Sequence, residues 1–208
     1  MRTVPPKSKH EILQRAIPMF AESGFKGVTM RAIAGRVGLT AASLYHHFPD
    51  KESLYLAALK QAFADRSRAL GEALTAPAPP AERLRLLILR LCERMQRDST
   101  FTRLVQREIL DGDEKRLRLV AKQVFHEVFA AITALCRELA PACDSFLLST
   151  SIIGLVVHYY QFTPIRSYLP GSRPEYDQAA TVARHITTLL LNGINLKQES
   201  EFRSQDSE

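Results

Sequence analysis

Apolar residues recur at intervals of three and four along most of this 208-residue chain, and no stretch shows the sustained apolar–polar alternation typical of a strand. Residues at that spacing share one face of a helix, so the pattern predicts an all-α protein. Pro18 is expected to bend the first helix and Gly24 to end it. The predicted helices span about residues 8–23, 29–37, 40–48, 50–73, 81–98, 100–110, 114–139, 144–162 and 175–192.

A Pro-rich loop, Ala76–Pro80, follows the fourth predicted helix and is a candidate hinge between two functional regions. We expect the three short helices and most of the fourth to form an N-terminal domain over residues 7–67. The remaining helices are expected to form a larger domain over residues 68–196. The polar segment 197–208 is expected to be a disordered tail.

Basic residues are concentrated at the start of the chain. Residues 1–60 contain nine Lys and Arg against four Asp and Glu, whereas the whole chain has a formal net charge of +6. A basic excess favours an anionic partner, which charge alone does not distinguish between nucleic acid and a membrane surface. Because the rest of the chain is close to neutral, this partner is expected at the N-terminal domain.

The cysteines and the N-terminal sequence indicate the cellular compartment of the protein. Cys92, Cys136 and Cys143 include no CxxC pair and have no histidine at ligand spacing, so neither a disulfide framework nor a zinc site is predicted. The first twenty residues lack the apolar stretch of a signal peptide. We therefore expect a cytoplasmic protein without a metal or a cofactor.

Residues 145–165 contain no formally charged side chain and are about long enough to cross a bilayer. Polar side chains within the stretch, such as Ser149, His158 and Gln161, favour instead a mostly buried helix of a soluble protein. No membrane partner is expected.

The segment from residue 27 to residue 55 has the pattern of a helix-turn-helix. Thr29 and Thr40 lie where a hydroxyl caps a helix N-terminus, and Gly38 between them suits a sharp turn. Leu39 would then enter the core between the two helices.

The third predicted helix has one apolar face and one polar face. Leu44 and Phe48, four residues apart, are expected to point inward, which leaves Ala42 and His46 on the outer face. Small and hydrogen-bonding residues there would suit the major groove of DNA, where Ser43 and His46 can bond bases and Ala42 can meet a thymine methyl.

This block, with GFKGVTM before it, resembles the signature of the TetR/AcrR family over roughly residues 8–60. The resemblance implies a homodimer bound to double-stranded operator DNA with two-fold symmetry, and a ligand-responsive repressor. It implies base-reading positions at Ala41, Ala42, Ser43 and His46. Backbone-contacting positions are expected at Thr29, Tyr45, His47 and Lys51, with Lys26 as a further phosphate contact. Thr40, which caps the third helix, is also expected to be a DNA-binding residue.

The larger domain is expected to bind a small molecule and to form the dimer. The stretches LILRLCERM and TFTRLVQREIL resemble the ligand domain of the CecR-like subgroup. An unknown effector would lie among the middle helices, against side chains chosen for their apolar position or hydrogen-bonding capacity: Met95, Phe101, Arg103, Leu104, Arg107, Phe125, His126, Phe129 and Tyr160. The dimer would form through two apolar stripes on the last two long helices, Leu148, Ile152, Leu155 and Tyr159, and Ala179, Ala183, Ile186 and Leu190. Alternatively, these stripes serve only the core of one chain.

Two other functions stay open at this point. One is an all-helical enzyme using Glu108, His126 or His158 as acid–base groups, although the sequence has no nucleophile motif, phosphate loop or paired carboxylates. The other is an architectural protein that binds DNA without sequence preference. A metal site at His46 and His47 is disfavoured, because adjacent helical side chains diverge by about 100°.

Overall fold

A computed structural model describes residues 8–97 and 100–205, without the side chains of residues 65–67 and 194–205. The described residues contain helices and no strand, which confirms the all-α prediction. The helices are α1 (Lys9–Gly27), α2 (Met30–Val37), α3 (Ala41–His47), α4 (Lys51–Leu74), α5 (Pro80–Arg97), α6 (Thr100–Asp111), α7 (Glu114–Val120), α8 (His126–Leu139), α9 (Ser145–Gln161), α10 (Thr163–Arg166) and α11 (Ala179–Gln205). A π-helical turn, Ala121–Phe125, joins α7 to α8, and a 3₁₀ turn, Pro174–Asp177, precedes α11.

The helices form two compact units that do not follow the chain in simple order. Within the described residues, the first unit consists of residues 8–67 and 100–126, and the second of residues 68–97 and 127–205. The division therefore places α6, α7 and the π-helical turn, which were predicted to lie in the larger domain, with the helix-turn-helix.

The first unit has a core of its own, made by α1 to α4 together with α6 and α7. Phe20, Leu44 and Tyr55 are fully or almost fully buried in it, and Leu104 of α6 joins the same apolar cluster. The Ser8 side chain accepts a hydrogen bond from the Glu11 backbone, and the Glu11 carboxylate accepts one from the Ser8 backbone, which together cap α1.

The departure from helical geometry in α1 lies at Gly24 and not at Pro18. Gly24 has φ +70°, in the left-handed region that glycine adopts without the steric cost of a Cβ. Pro18 stays within the helix, with its ring exposed. The last turn of α1, beyond Gly24, leads directly to the start of α2.

The second unit is an apolar bundle built from the end of α4 with α5, α8, α9 and α11. Leu84, Leu87 and Ile88 of α5 are fully buried in its centre. A small polar cluster is also buried there, in which the Ser149 hydroxyl donates to the Ser145 carbonyl and lies 3.2 Å from the Thr133 hydroxyl.

The stripes predicted to form the dimer surface are mostly core of this unit. Ile152 is 0% exposed and Ala179, Ala183 and Ile186 are also buried, so these four residues cannot meet a partner chain. Leu148, Tyr159 and Leu190 are only partly exposed. The prediction was wrong for these four buried residues, because an apolar stripe at helical spacing looks the same whether it faces its own bundle or a second copy, whereas Leu155 of the same stripes is 37% exposed.

The C-terminal part of the chain departs from the predicted boundaries. Helix α11 begins at Ala179, after the 3₁₀ turn, and continues to Gln205. It thus extends into residues expected as a disordered tail, of which residues 206–208 lie outside the described residues.

By length and composition alone, one described helical stretch, Glu114–Leu139, could cross a membrane. It is not the 145–165 segment considered from the sequence. The core helix of a soluble protein meets the same criteria. This stretch also contains Arg116, whose guanidinium is buried among carboxylates, so its composition is weak evidence for a membrane span.

Candidate DNA-binding surface

The start of α2 is fixed by Thr29. Its backbone is extended, and its Oγ1 atom accepts a hydrogen bond of 3.1 Å from the amide of Ala32. This is the capping arrangement expected from the sequence, and it leaves the hydroxyl hydrogen available to a further acceptor. Thr29 itself is exposed.

A tight turn joins α2 to α3. Gly38 has φ +74° and ψ 31°, a left-handed conformation that a residue with a side chain adopts at a cost. The amide of Leu39 donates to the carbonyl of Ala34 over 2.9 Å, which closes the end of α2. Thr40 then caps α3 by accepting a 3.1 Å hydrogen bond from the amide of Ser43.

Helix α3 has the two faces expected from its sequence. Leu44 is fully buried and Phe48 nearly so, and both join the core of the first unit. The other residues are exposed or half-buried: Ala41, Ala42, Ser43, Tyr45, His46 and His47. The side chains that could read bases are therefore presented together on the side of α3 away from the core.

Lys51 has partners that the sequence did not indicate. Its Nζ atom donates to the carbonyls of Phe25 and Val28, each over 3.0 Å, and lies 4.2 Å from the centre of the Phe25 ring. Two of its three N–H groups are thereby used in holding the end of α1. The predicted phosphate contact would have to use the third.

Lys26 also has a partner, since its ammonium lies 3.6 Å from a carboxylate oxygen of Asp111. By contrast, Arg31 and Arg36 of α2 are exposed, and their guanidinium groups form no ion pair with a described residue. Neither arginine is among the residues predicted from the sequence to bind DNA. Arg31 follows the Thr29 cap by two residues, in the helix that precedes the outward-facing α3. This position could have indicated a DNA contact from the sequence.

The helix that follows α3 is also capped. The Asp50 carboxylate accepts a 2.6 Å hydrogen bond from the amide of Ser53 at the start of α4. This hydrogen bond holds the pKa of Asp50 below its usual range. Within the described residues no group of three or more His, Cys, Asp or Glu side chains is arranged to hold a metal ion, and His46 and His47 are no exception.

The residues predicted to line an effector pocket are divided between the two units. Phe101, Leu104 and Phe125 lie in the first, where the ring centres of Phe101 and Phe125 are 5.5 and 5.3 Å from that of Phe63 and 6.0 Å from each other. Arg103 and His126 are exposed there. Arg107 donates from Nε to the Ala21 carbonyl over 2.8 Å, so it links α6 to α1.

The other three predicted pocket residues, Met95, Phe129 and Tyr160, belong to the second unit. Phe129 packs edge-on against Phe146, with ring centres 5.4 Å apart. The Tyr160 hydroxyl is buried without a hydrogen bond, and burial with the nearby Cys92 thiol raises its pKa well above the usual value. A cavity of about 590 Å³ in this unit is lined by other residues, among them Tyr159, Tyr176 and His185.

Glu108 and His158, which were considered as acid–base groups of an enzyme, each contact another side chain in the structure. Glu108 is 2% exposed, and both its carboxylate oxygens accept from Nε of Arg116, at 3.0 and 3.3 Å. His158 is exposed and stacks on Phe162. Glu108 therefore serves as one half of a buried ion pair.

Comparison with known families identifies both parts of the chain. Residues 12–58 match the family described as bacterial regulatory proteins of the tetR family. Residues 80–194, more than half of the chain, match the C-terminal domain of the HTH-type transcriptional dual regulator CecR. The chain belongs to the TetR/AcrR family. Both resemblances noted in the sequence, including that to the CecR-like subgroup, are confirmed.

A curated relative matches about a third of this chain. The HTH-type transcriptional repressor AcnR of Corynebacterium glutamicum is 37% identical over 68 residues, which are 33% of this chain and 36% of AcnR. The chain thus covers only about a third of that relative.

Two solved structures of regulators have the same fold. FadR from Bacillus subtilis, in complex with stearoyl-CoA, has a TM-score of 0.73 at 16% identity and is matched over 89% of this chain and 99% of that one. AibR, in complex with isovaleryl coenzyme A and operator DNA, has a TM-score of 0.67 at 21% identity over 87% and 96% of the two chains.

Proposed function

We propose that this TetR-family protein is a sequence-specific transcriptional regulator of the cytoplasm, which represses from a palindromic operator until an effector releases it. The observation that supports this most is the outward face of α3. It follows a capped α2 and a left-handed glycine turn, and it stands on two inward anchors, Leu44 and Phe48. That is the geometry with which a helix-turn-helix enters the major groove.

The exposed residues divide into two roles. Ser43 and His46 would hydrogen-bond to base edges and Ala42 would contact a thymine methyl, because these side chains lie on the outer face of α3. Tyr45 and the free hydroxyl hydrogen of Thr29 would contact phosphates, with the amides at the start of α2 adding a positive dipole end. We add Arg31, exposed in the first turn of α2, to the phosphate contacts.

The dimer would form through the outward faces of α9 and α11. Leu147 and Leu155 of α9 and Leu189 of α11 are exposed, at 63%, 37% and 53%, although they are large and apolar. An isologous contact of these faces would form a four-helix bundle. Two copies of α3 that enter successive major grooves would lie about 34 Å apart. Sedimentation of the full-length protein with and without Leu189→Glu tests this arrangement, which a monomeric wild type that still binds operator would exclude.

For the effector we propose an acyl-CoA thioester. The support is the fold shared with FadR and AibR, whose structures contain stearoyl-CoA and isovaleryl coenzyme A. An effector can release DNA only through a difference in its affinity for the two states, and the same factor must then weaken its own binding when operator is present. Calorimetry with acyl-CoA esters of increasing chain length, with and without operator, tests this, with free coenzyme A as the control.

The test of DNA binding begins with selection of an operator from random duplexes by the full-length protein. Ser43→Ala and His46→Ala should change which sequences are preferred, at a cost of about 1–3 kcal/mol at the bases read. Arg31→Ala should weaken selected and scrambled duplexes alike. Thr75→Ala, which removes an exposed hydroxyl after α4, is the matched control and should leave binding unchanged.

Binding that varied with salt but never with sequence would contradict the regulator proposal. It would favour the architectural DNA-binding protein left open by the sequence.

A further inference from the structure

The end of α1 is held from three other helices of the first unit. Lys51 of α4 donates to the carbonyls of Phe25 and Val28, and Arg107 of α6 donates to the carbonyl of Ala21. The third contact comes from α7, where the guanidinium carbon of Arg116 lies 4.2 Å from the centre of the Phe25 ring. The Phe25 ring is therefore in contact with two cations, Lys51 and Arg116, each at 4.2 Å.

The guanidinium of Arg116 is fixed by three carboxylates. Nε donates to Glu108 at 3.0 Å, one terminal nitrogen lies 3.2 Å from Asp111, and the other lies 3.2 Å from Asp113. Its side chain is only 6% exposed and that of Glu108 only 2%. A planar group with three such partners has one orientation, and that orientation sets where its flat face meets Phe25.

Tyr55 completes the same cluster on the α4 side. It is fully buried, its ring packs edge-on against Phe25 with centres 5.2 Å apart, and Glu108 lies near its hydroxyl. Burial and the charge of Glu108 raise the pKa of Tyr55 above its usual value, so the group is neutral.

The held segment ends at the DNA-binding surface. Val28, whose carbonyl accepts from Lys51, is followed directly by Thr29, the cap of α2. A shift of the Phe25 ring would move the Val28 carbonyl that accepts from Lys51. It would therefore also move the next residue, Thr29, and with it the hydroxyl and amides at the start of α2. Apolar residues of similar volume could fill this space at equal or better stability, so the contribution of these four charges to stability does not by itself account for their presence.

We infer that Arg116 is a positioning residue for DNA binding, which acts through the Phe25 ring and Lys51 to set the start of α2. This inference rests on the proposed function and extends it, since it makes the α6–α7 corner part of the DNA-binding unit. A change in that corner would then reach α2 without passing along the length of α4.

Two variants disrupt this arrangement with only a modest loss of side-chain volume. Phe25→Leu removes both ring–cation contacts and leaves the ion pairs in place. The double variant Glu108→Gln with Arg116→Met removes the buried pair without leaving one charge alone. Phe63→Leu is the matched control, because Phe63 is a partly buried aromatic of the same unit that packs on Phe101 and Phe125.

The first readout is binding of the full-length protein to its selected operator, by anisotropy, over a range of salt, corrected for the folded fraction. Both variants should lose roughly tenfold in affinity, within the range of coupling through packed networks. The slope of log K against log salt should also become shallower by about 0.9 for each phosphate that α2 no longer holds. Phe63→Leu should keep the wild-type affinity and slope, because a merely structural loss does not change the number of phosphates held.

The second readout needs no DNA. Hydrogen exchange of the amides of Ala32 and Ile33, which bond to Thr29, should accelerate in both variants and not in Phe63→Leu. Wild-type exchange and wild-type salt slope in a folded Phe25→Leu protein would overturn the inference. If the wild type selects no operator, the proposed function fails, and the exchange result alone decides the positioning role.

Discussion

The two units of the molecule are stabilised in different ways. The first contains a buried ion pair, Glu108–Arg116, and a turn at Gly38 whose left-handed backbone has to be held in place. The second is dominated by apolar packing, and its arginine–carboxylate pairs with the least exposed arginines, Arg83–Glu138 and Arg166–Asp177, leave the carboxylate about half exposed.

The proposed function gives this contrast a physical reason. A surface that reads bases has to hold several side chains at fixed angles, and directional polar contacts hold angles better than apolar packing does. A unit that admits a small molecule and adjusts to it can depend on packing that many arrangements satisfy. The following changes test whether this difference between the units is real.

The largest effect should come from leaving a buried charge alone. Arg116→Met strands the Glu108 carboxylate in the core of the first unit, and breaking a buried pair in this way costs about 3–5 kcal/mol. Arg83→Met leaves Glu138 in contact with water, so the free energy of unfolding should fall by only about 1 kcal/mol or less. Denaturant titration of both variants measures the difference, and equal losses would contradict the contrast.

Deleting a buried apolar side chain should cost about the same in both units. Leu44→Ala and Leu87→Ala each remove a fully buried leucine, at about 2–5 kcal/mol. Hydrogen exchange should locate the loss in the first unit for Leu44→Ala and in the second for Leu87→Ala. If each change accelerated exchange equally in both units, the division into units would have no energetic meaning.

The features that depend on neighbouring residues could be predicted from the sequence. The caps at Thr29 and Thr40 and the turn at Gly38 depend only on hydrogen bonds to residues within a few positions along the chain. The structure has each of them. The inward face of α3 followed from the spacing of Leu44 and Phe48 alone.

Features that depend on distant parts of the chain could not be predicted in this way. Lys51 donates hydrogen bonds to carbonyls more than twenty residues earlier in the chain. No local sequence pattern predicts which carbonyls accept them. The grouping of α6 and α7 with the helix-turn-helix rests on Leu104 and Val120 joining its core. Burial of Ile152 on the inner side of α9 was equally invisible, since its spacing fits either face.

Two glycine substitutions should change stability in opposite directions. Gly38→Ala forces a Cβ into φ +74° and should destabilise the first unit by about 1–2 kcal/mol. Gly71 lies inside α4, in the second unit, with nothing within 4 Å of an added Cβ. Gly71→Ala should therefore stabilise by about 0.5–1 kcal/mol. Thermal denaturation gives both signs, and a stabilising Gly38→Ala would show that the turn relaxes without strain.

The smallest effect concerns the cysteines of the second unit. Cys92 and Cys136 are buried, and burial raises the pKa of both thiols, that of Cys92 to about 11, whereas Cys143 is partly exposed. A thiol-specific reagent at neutral pH should therefore modify Cys143 first, and the other two only when the second unit opens. Because the folded-state pKa is raised, the stability contributed by the neutral thiols is fully present below about pH 9 and is lost as the pH rises through about 11.

The control variant for this experiment is Cys143→Ser, which removes only the fast phase of modification. Cys92→Ser is unsuitable as a control, because it buries a hydroxyl. Rapid modification of Cys92 or Cys136 in the Cys143→Ser protein at pH 7 would show that the apolar bundle of the second unit opens more readily than its packing indicates.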